Sequence, residues 1–151
     1  MNVSEITAIH EAAHAVAAIR TGLPFENVSV VPDDADETDG ALYWIELHDQ
    51  LGLMMPPEAL AIVLLAGPCA EARARRLRFD RVLAGEAATD DRDSLSALGL
   101  SDAQFIAASR NAVELIDRDW PAIERVANAL MNGGSLRFDE VENLVDAVHP
   151  G

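Results

Sequence analysis

At 151 residues, half of them hydrophobic, the chain is long enough to bury one sizeable core, and its low aromatic share beside abundant Ala favours closely packed helices. A net charge of −15 argues against binding nucleic-acid phosphates or anionic membrane surfaces and fits a solvated acidic surface or attraction to basic partners. The single cysteine, Cys69, excludes an internal disulfide and fits a reducing compartment; its apolar surroundings predict burial rather than catalysis.

The first predicted element is a helix over 4–21, with Ser4 as N-cap, an Ala-rich interior and Gly22 as its stop. It carries His10-Glu11-Ala12-Ala13-His14, an H-E-x-x-H pattern. Residues four apart share a helix face, so both imidazoles can reach one tetrahedral zinc ion. Glu11 can then point at a water on that metal and act as its general base. The residues around the histidines are small or apolar, as a buried active-site helix requires; a solvated amphipathic helix would need more polar face. His10 and His14 are therefore the predicted metal ligands and Glu11 the predicted catalytic residue. The interrupted apolar run does not read as a signal peptide, and Ala59 to Ala66 is too short to span a membrane, so a cytoplasmic protein is expected.

Asn27 to Val31 reads as a short β-branched strand stopped by Pro32. Asp33 to Asp39 is an acidic loop, better explained as a solvated turn than as a calcium site, because it lacks the glycine and terminal glutamate of an EF-hand. Gly40 to Leu47 reads as a second strand, antiparallel to the first, with Ala41, Tyr43, Ile45 and Leu47 on one face. Pro57 opens a helix from about Glu58 to Arg78, whose arginine-rich end suits the negative end of the helix dipole. Asp80 to Gly85 reads as a connection. Further helices are predicted from Thr89 to near Gly99, from Ser101-Asp102 to about Arg118, from Asp119-Trp120-Pro121 to about Asn132, and from Phe138 to Val148. The expected architecture is a single α+β domain over residues 1–151, mainly helical, with a small N-terminal hairpin or sheet beside the H-E-x-x-H helix.

A catalytic zinc ion usually takes three protein ligands and a water. His48 and His149 are weak candidates for the third. The cluster Asp90, Asp91 and Asp93 is stronger, since it opens a helix after a glycine-containing loop.

With these motifs in order, the chain resembles the peptidase domain of FtsH, the ATP-dependent zinc metallopeptidase, and more closely its small standalone relatives. His10 to Val16 is similar to the family's H-E-A-G-H-A, and Val28-Ser29-Val30-Val31-Pro32 to its strand V-S-I-I-P. Gly40 to Tyr43 resembles the following edge strand, Leu64 to Glu71 is similar to L-L-A-G-R-A-A-E, and Gly85 to Leu98 resembles G-A-S-N-D-L-x-x-A. Ala13 stands where the family has glycine, and Pro68 where arginine is common.

The resemblance implies Zn2+ as cofactor and an aspartate as third ligand. Asp90 is the first choice, Asp93 the alternative, and Asp91 comes third. It also implies that Ala41, Leu42 and Tyr43 pair with an extended polypeptide substrate. The chain shows no AAA+ ATPase segment, so the expected activity is endopeptidase cleavage of flexible or unfolded polypeptide, which leaves room for a separate unfoldase or a homo-oligomer. The competing readings are a zinc-stabilised, catalytically silent peptide-binding or regulatory module, and a helical scaffold in which the motif is accidental.

Overall fold

The computed structural model describes residues 3–30, 41–44, 56–83, 85 and 89–148, and of residues 3–4, 41–44 and 89–90 the backbone alone. The expected Ile45 and Leu47, the acidic loop of 33–39, His48 and His149 lie outside these residues. The fold is mainly helical with a small antiparallel sheet, as the sequence predicts.

Helix α1, Val3–Thr21, is the axis of the molecule. Alanine, the best helix former, fills its middle, with Glu5 in the first turn and Arg20 in the last to suit the dipole. Every residue from Ala8 to Ala18 is buried, so this helix is covered on all sides. Its alanines let neighbouring helices approach closely. Gly22 ends it at φ 80°, a left-handed turn that lets the Leu23 N–H reach the Ala18 carbonyl at 2.8 Å.

Strand β1, Phe25–Ser29, is the centre of a three-stranded sheet ordered β2-β1-β3, with β2 at Ala41–Trp44 and β3 at Ser135–Arg137. Both pairings are antiparallel; Val28 faces Leu42 on one side and Leu136 on the other. The strand begins two residues before its predicted start. Phe25 is drawn in by an edge-to-face contact with Phe138, ring centroids 5.0 Å apart, and the register shifts between Phe25 and Asn27. Strand β3 has no counterpart among the predicted elements, because three residues are too few to show alternation.

Helix α2, Pro57–Arg75, opens with Pro57 in its first turn and stops three residues before its predicted end. Arg76 takes the left-handed conformation, φ 57°, and its N–H closes on the Ala72 and Arg73 carbonyls. A short helix α3, Phe79–Leu83, occupies part of the predicted connection. Then follow α4, Thr89–Ala97; α5, Asp102–Arg118; α6, Trp120–Gly133; and α7, Phe138–Val148. The Ser101 hydroxyl accepts from the Gln104 N–H at 3.1 Å while the Gln104 side chain accepts from the Ser101 N–H at 2.9 Å, a reciprocal cap that starts α5.

Helix α1 packs chiefly against α2 and α6, and α2 against α5. The buried apolar side chains form one continuous cluster running from Ala8 on α1 to Val145 on α7. Among the described residues, no helix is long and apolar enough to cross a membrane.

Candidate metal centre

Helix α1 places His10 and His14 one turn apart, both buried, with ring centroids 4.8 Å apart and planes at 72°. From α4, Asp91 reaches across to both: its Oδ2 lies 3.0 Å from His10 Nε2 and 3.4 Å from His14 Nε2. Ligands about 2.0 Å from a tetrahedral centre stand about 3.3 Å from one another, so these separations fit three corners of such a centre. The three residues could hold a metal ion.

Helix α2 supplies the outer partners. His14 Nδ1 donates to the Val63 carbonyl at 2.7 Å. His10 Nδ1 faces Glu71 Oε1 at 3.5 Å, and the other oxygen of Glu71 accepts from Arg75 Nη1 at 3.1 Å. Each Nδ1 therefore carries its proton toward α2, and each Nε2 faces Asp91, where a proton stands between nitrogen and carboxylate in the ion-free protein and a metal ion could replace it. An acceptor behind the ring fixes the tautomer and raises the basicity of the coordinating nitrogen.

Between these two partners α2 carries Gly67. A Cβ at that position would lie 2.3 Å from His14 Nε2 and 2.7 Å from His10 Nε2. The space between the donor nitrogens is thus kept open by a missing side chain. Pro68 follows inside the same helix. Relative to Ala in a helix interior, Gly is less favourable by about 1 kcal/mol and Pro by about 3 kcal/mol. A helix that tolerates both at the histidine-facing turn is shaped by something other than helix propensity.

The electrostatics agree with the geometry. Burial opposes charge on His10, but Asp91, Glu71 and Glu11 outweigh it and push its pKa up to about 10. His14 is also raised: burial opposes its charge, and Asp91 overcomes that effect. Burial pushes Asp91 up, but the two histidines hold its carboxyl well below the usual carboxylate range. The bond to His10 lowers Glu71. Glu11, itself buried, is raised above the ordinary glutamate value because burial outweighs the attraction of His14 and His10. A carboxylate so placed is a stronger base than one in water. No known protein family matches this chain, and no curated protein matches it, so the functional reading rests on the geometry and the motif.

The structure brings His10, Glu11 and His14 together as the sequence predicts. It differs at the third position: the carboxylate that meets the histidines is Asp91, which ranks third from sequence. Asp93 is exposed, and the Asp90 side chain lies outside the described residues. On a helix, Asp91 and Asp93 point to nearly opposite faces. Leu95, one turn after Asp91, is buried, so 91 and 95 mark the inward face of α4, and Leu98, just past its end, also packs against the core. That apolar periodicity is the signal in the sequence that points to Asp91. Arg92 secures the approach by donating from Nη1 to the Leu83 and Gly85 carbonyls at 2.8 and 2.7 Å. The expected substrate strand, Ala41, Leu42 and Tyr43, lies in β2 at one end of the strand order, and its side chains are outside the described residues. Sequence reasoning assigns no role to Glu71 or Gly67. A glutamate within the apolar run of 64–72 is the sequence signal for the first.

Proposed function

We propose that this protein is a zinc-dependent endopeptidase that hydrolyses flexible or unfolded polypeptide. The observation that carries the reading is the convergence of His10 Nε2, His14 Nε2 and Asp91 Oδ2 beside the buried carboxyl of Glu11. Those three residues would hold Zn2+, two nitrogens and one oxygen being a ligand set of hydrolytic zinc sites that leave one position open. Zinc, when bound, supplies Lewis acidity at a carbonyl oxygen and brings the pKa of water to about 7. Glu11 takes a proton from the attacking water and delivers it to the leaving amine. Its raised pKa makes it a better proton acceptor than an ordinary glutamate. Strand β2, at one end of the strand order, would offer main-chain N–H and C=O groups through Ala41, Leu42 and Tyr43. Only an extended chain can pair there, which selects flexible or unfolded substrate. The sequence resemblance to the FtsH peptidase domain supports the same reading.

Elemental analysis of wild type and of Asp90→Ala, Asp91→Ala and Asp93→Ala, followed by incubation with unfolded casein, tests it. The expected result is about one zinc per chain, lost only in Asp91→Ala, with cleavage by wild type and none by Glu11→Gln, which keeps its zinc. Cleavage by Glu11→Gln at the wild-type rate would overturn the mechanism. Casein bound but left intact by wild type would favour the silent peptide-binding module.

A further inference from the structure

Val63, Gly67 and Glu71 are successive positions on one face of α2, each a turn from the next. The outer two fix the histidines: a carbonyl holds His14 and a carboxylate faces His10. We propose that Gly67 is the positioning residue between them, setting where the two donor nitrogens stand by having no side chain. The reading rests on the metal site above and adds a residue to it.

The geometry is specific to the donor atoms. The three nearest atoms to a Cβ at Gly67 are His14 Nε2 at 2.3 Å, His10 Nε2 at 2.7 Å and His14 Cε1 at 2.7 Å. Real Cβ atoms do not sit so close, so one partner must move. The His14 ring has little freedom to do so, because its other nitrogen is tied to Val63 at 2.7 Å and the ring is buried. A methyl group would also occupy the gap that both nitrogens face. At Gly133, by contrast, a Cβ would meet nothing within 4 Å, which makes that residue a fair helix control. A glycine kept only by chance gains from replacement by Ala, the better helix former; a glycine kept for the histidines loses by it.

The test compares Gly67→Ala in two backgrounds, wild type and His10→Ala/His14→Ala, with Gly133→Ala as control. Zinc per chain and the visible absorption of the Co2+-loaded protein report the site; melting of the chelated proteins reports the clash without metal. Gly67→Ala is expected to weaken zinc binding by about 100-fold, to lose the tetrahedral Co2+ spectrum and to lower the melting temperature in the wild-type background. In the background without the imidazoles the same substitution is expected to raise it. Gly133→Ala is expected to leave zinc and spectrum unchanged. Unchanged zinc affinity and spectrum in Gly67→Ala, or an equal melting shift in both backgrounds, would overturn the proposal. If Gly67→Ala fails to fold, a folded triple variant supports it and an unfolded one refutes it. If wild type takes up no zinc, the functional reading fails by itself, and the melting comparison still decides whether Gly67 acts on the histidines.

Discussion

The two halves of α1 bury polar groups in opposite ways. Near its C-terminal end Arg20 donates from Nε and Nη2 to the two carboxylate oxygens of Asp119, at 3.2 and 3.1 Å, and Arg118 adds a third contact at 3.3 Å. Asp119 is 1% exposed and sits where α5 turns into α6, so the fork ties α1 to that corner. Donors meet acceptors there. In the first half of α1, two imidazole nitrogens and a carboxylate oxygen point at one another. Three neighbours that can all act as Lewis bases crowd one point, and protons or a metal ion must intervene. A buried polar cluster that is complete within the protein is structural; one that needs an added proton or metal ion is a candidate site.

The largest effect that would break this contrast is removal of the proposed metal ion. An ion bound only by the native state at 1,000 times its dissociation constant stabilises by about 4 kcal/mol. At about 2–4 °C per kcal/mol for a chain near this size, chelation is expected to lower the melting temperature by on the order of 10 °C. His14→Ala should erase the difference between zinc-loaded and chelated samples in scanning calorimetry. The pH dependence of the chelated protein carries the same signature. The pKa of His10 is raised from 6.5 to about 10, so its contribution to stability is complete below pH 6.5 and is lost as pH rises through about 10. Zinc at the proposed site would compete with those protons, so the stabilisation it adds should grow over the same range. A chelated protein whose melting temperature climbs steadily from about pH 6.5 to 9 would contradict the arrangement of His10 with Asp91 and Glu71.

Next in size is the clamp. Arg20→Met removes the two-pronged partner of the buried Asp119 and leaves the longer contact from Arg118. Breaking a buried pair from one side costs about 3–5 kcal/mol; because the Arg20 side chain is 31% exposed and Arg118 remains, about 2–3 kcal/mol is expected. Urea unfolding measures it, and zinc per chain should not change. Loss of zinc in this variant would mean that the two halves of α1 are not independent.

Much of this contrast is legible in the sequence, and what is not has a physical reason. The H-E-x-x-H spacing, the Pro57 start and the Ser101 cap are local signals, and local signals survive without tertiary context. The choice among Asp90, Asp91 and Asp93 depends on the rotation of α4 about its axis, which its apolar contacts set. Three acidic residues within four positions cover most directions around a helix, so position relative to the motif could not choose among them. Arg20 and Asp119 are nearly a hundred residues apart, and no local pattern links them. Gly67 and Pro68 read locally as poor helix residues; only α1 packed against them gives Gly67 a purpose.

Glu71→Gln should have a smaller effect, confined to the metal end. The amide can still accept from His10 Nδ1 but no longer offers a charge to it or to Arg75. Outer partners of metal-bound histidines are worth about 10–100-fold in affinity. Competition with a zinc indicator should find a loss in that range, with circular dichroism unchanged. An unaltered affinity would mean that Val63 and Gly67 alone orient the rings.

The smallest effect is expected at Cys69, which lies on α2 between Gly67 and Glu71 and bears the side chain that most readily binds zinc. Two residues beyond Gly67, it points away from the histidines, and burial together with the charge of Asp117 pushes its thiol up to about 12. The thiolate a metal would need is therefore absent at neutral pH. Cys69→Ala should keep its zinc and lose only about 1 kcal/mol, comparable to removing one buried methylene. Thiol reagents should modify the native protein slowly and the urea-unfolded protein quickly. Zinc lost in Cys69→Ala would place a ligand on the far side of α2, and the three-residue centre of His10, His14 and Asp91 would have to be redrawn.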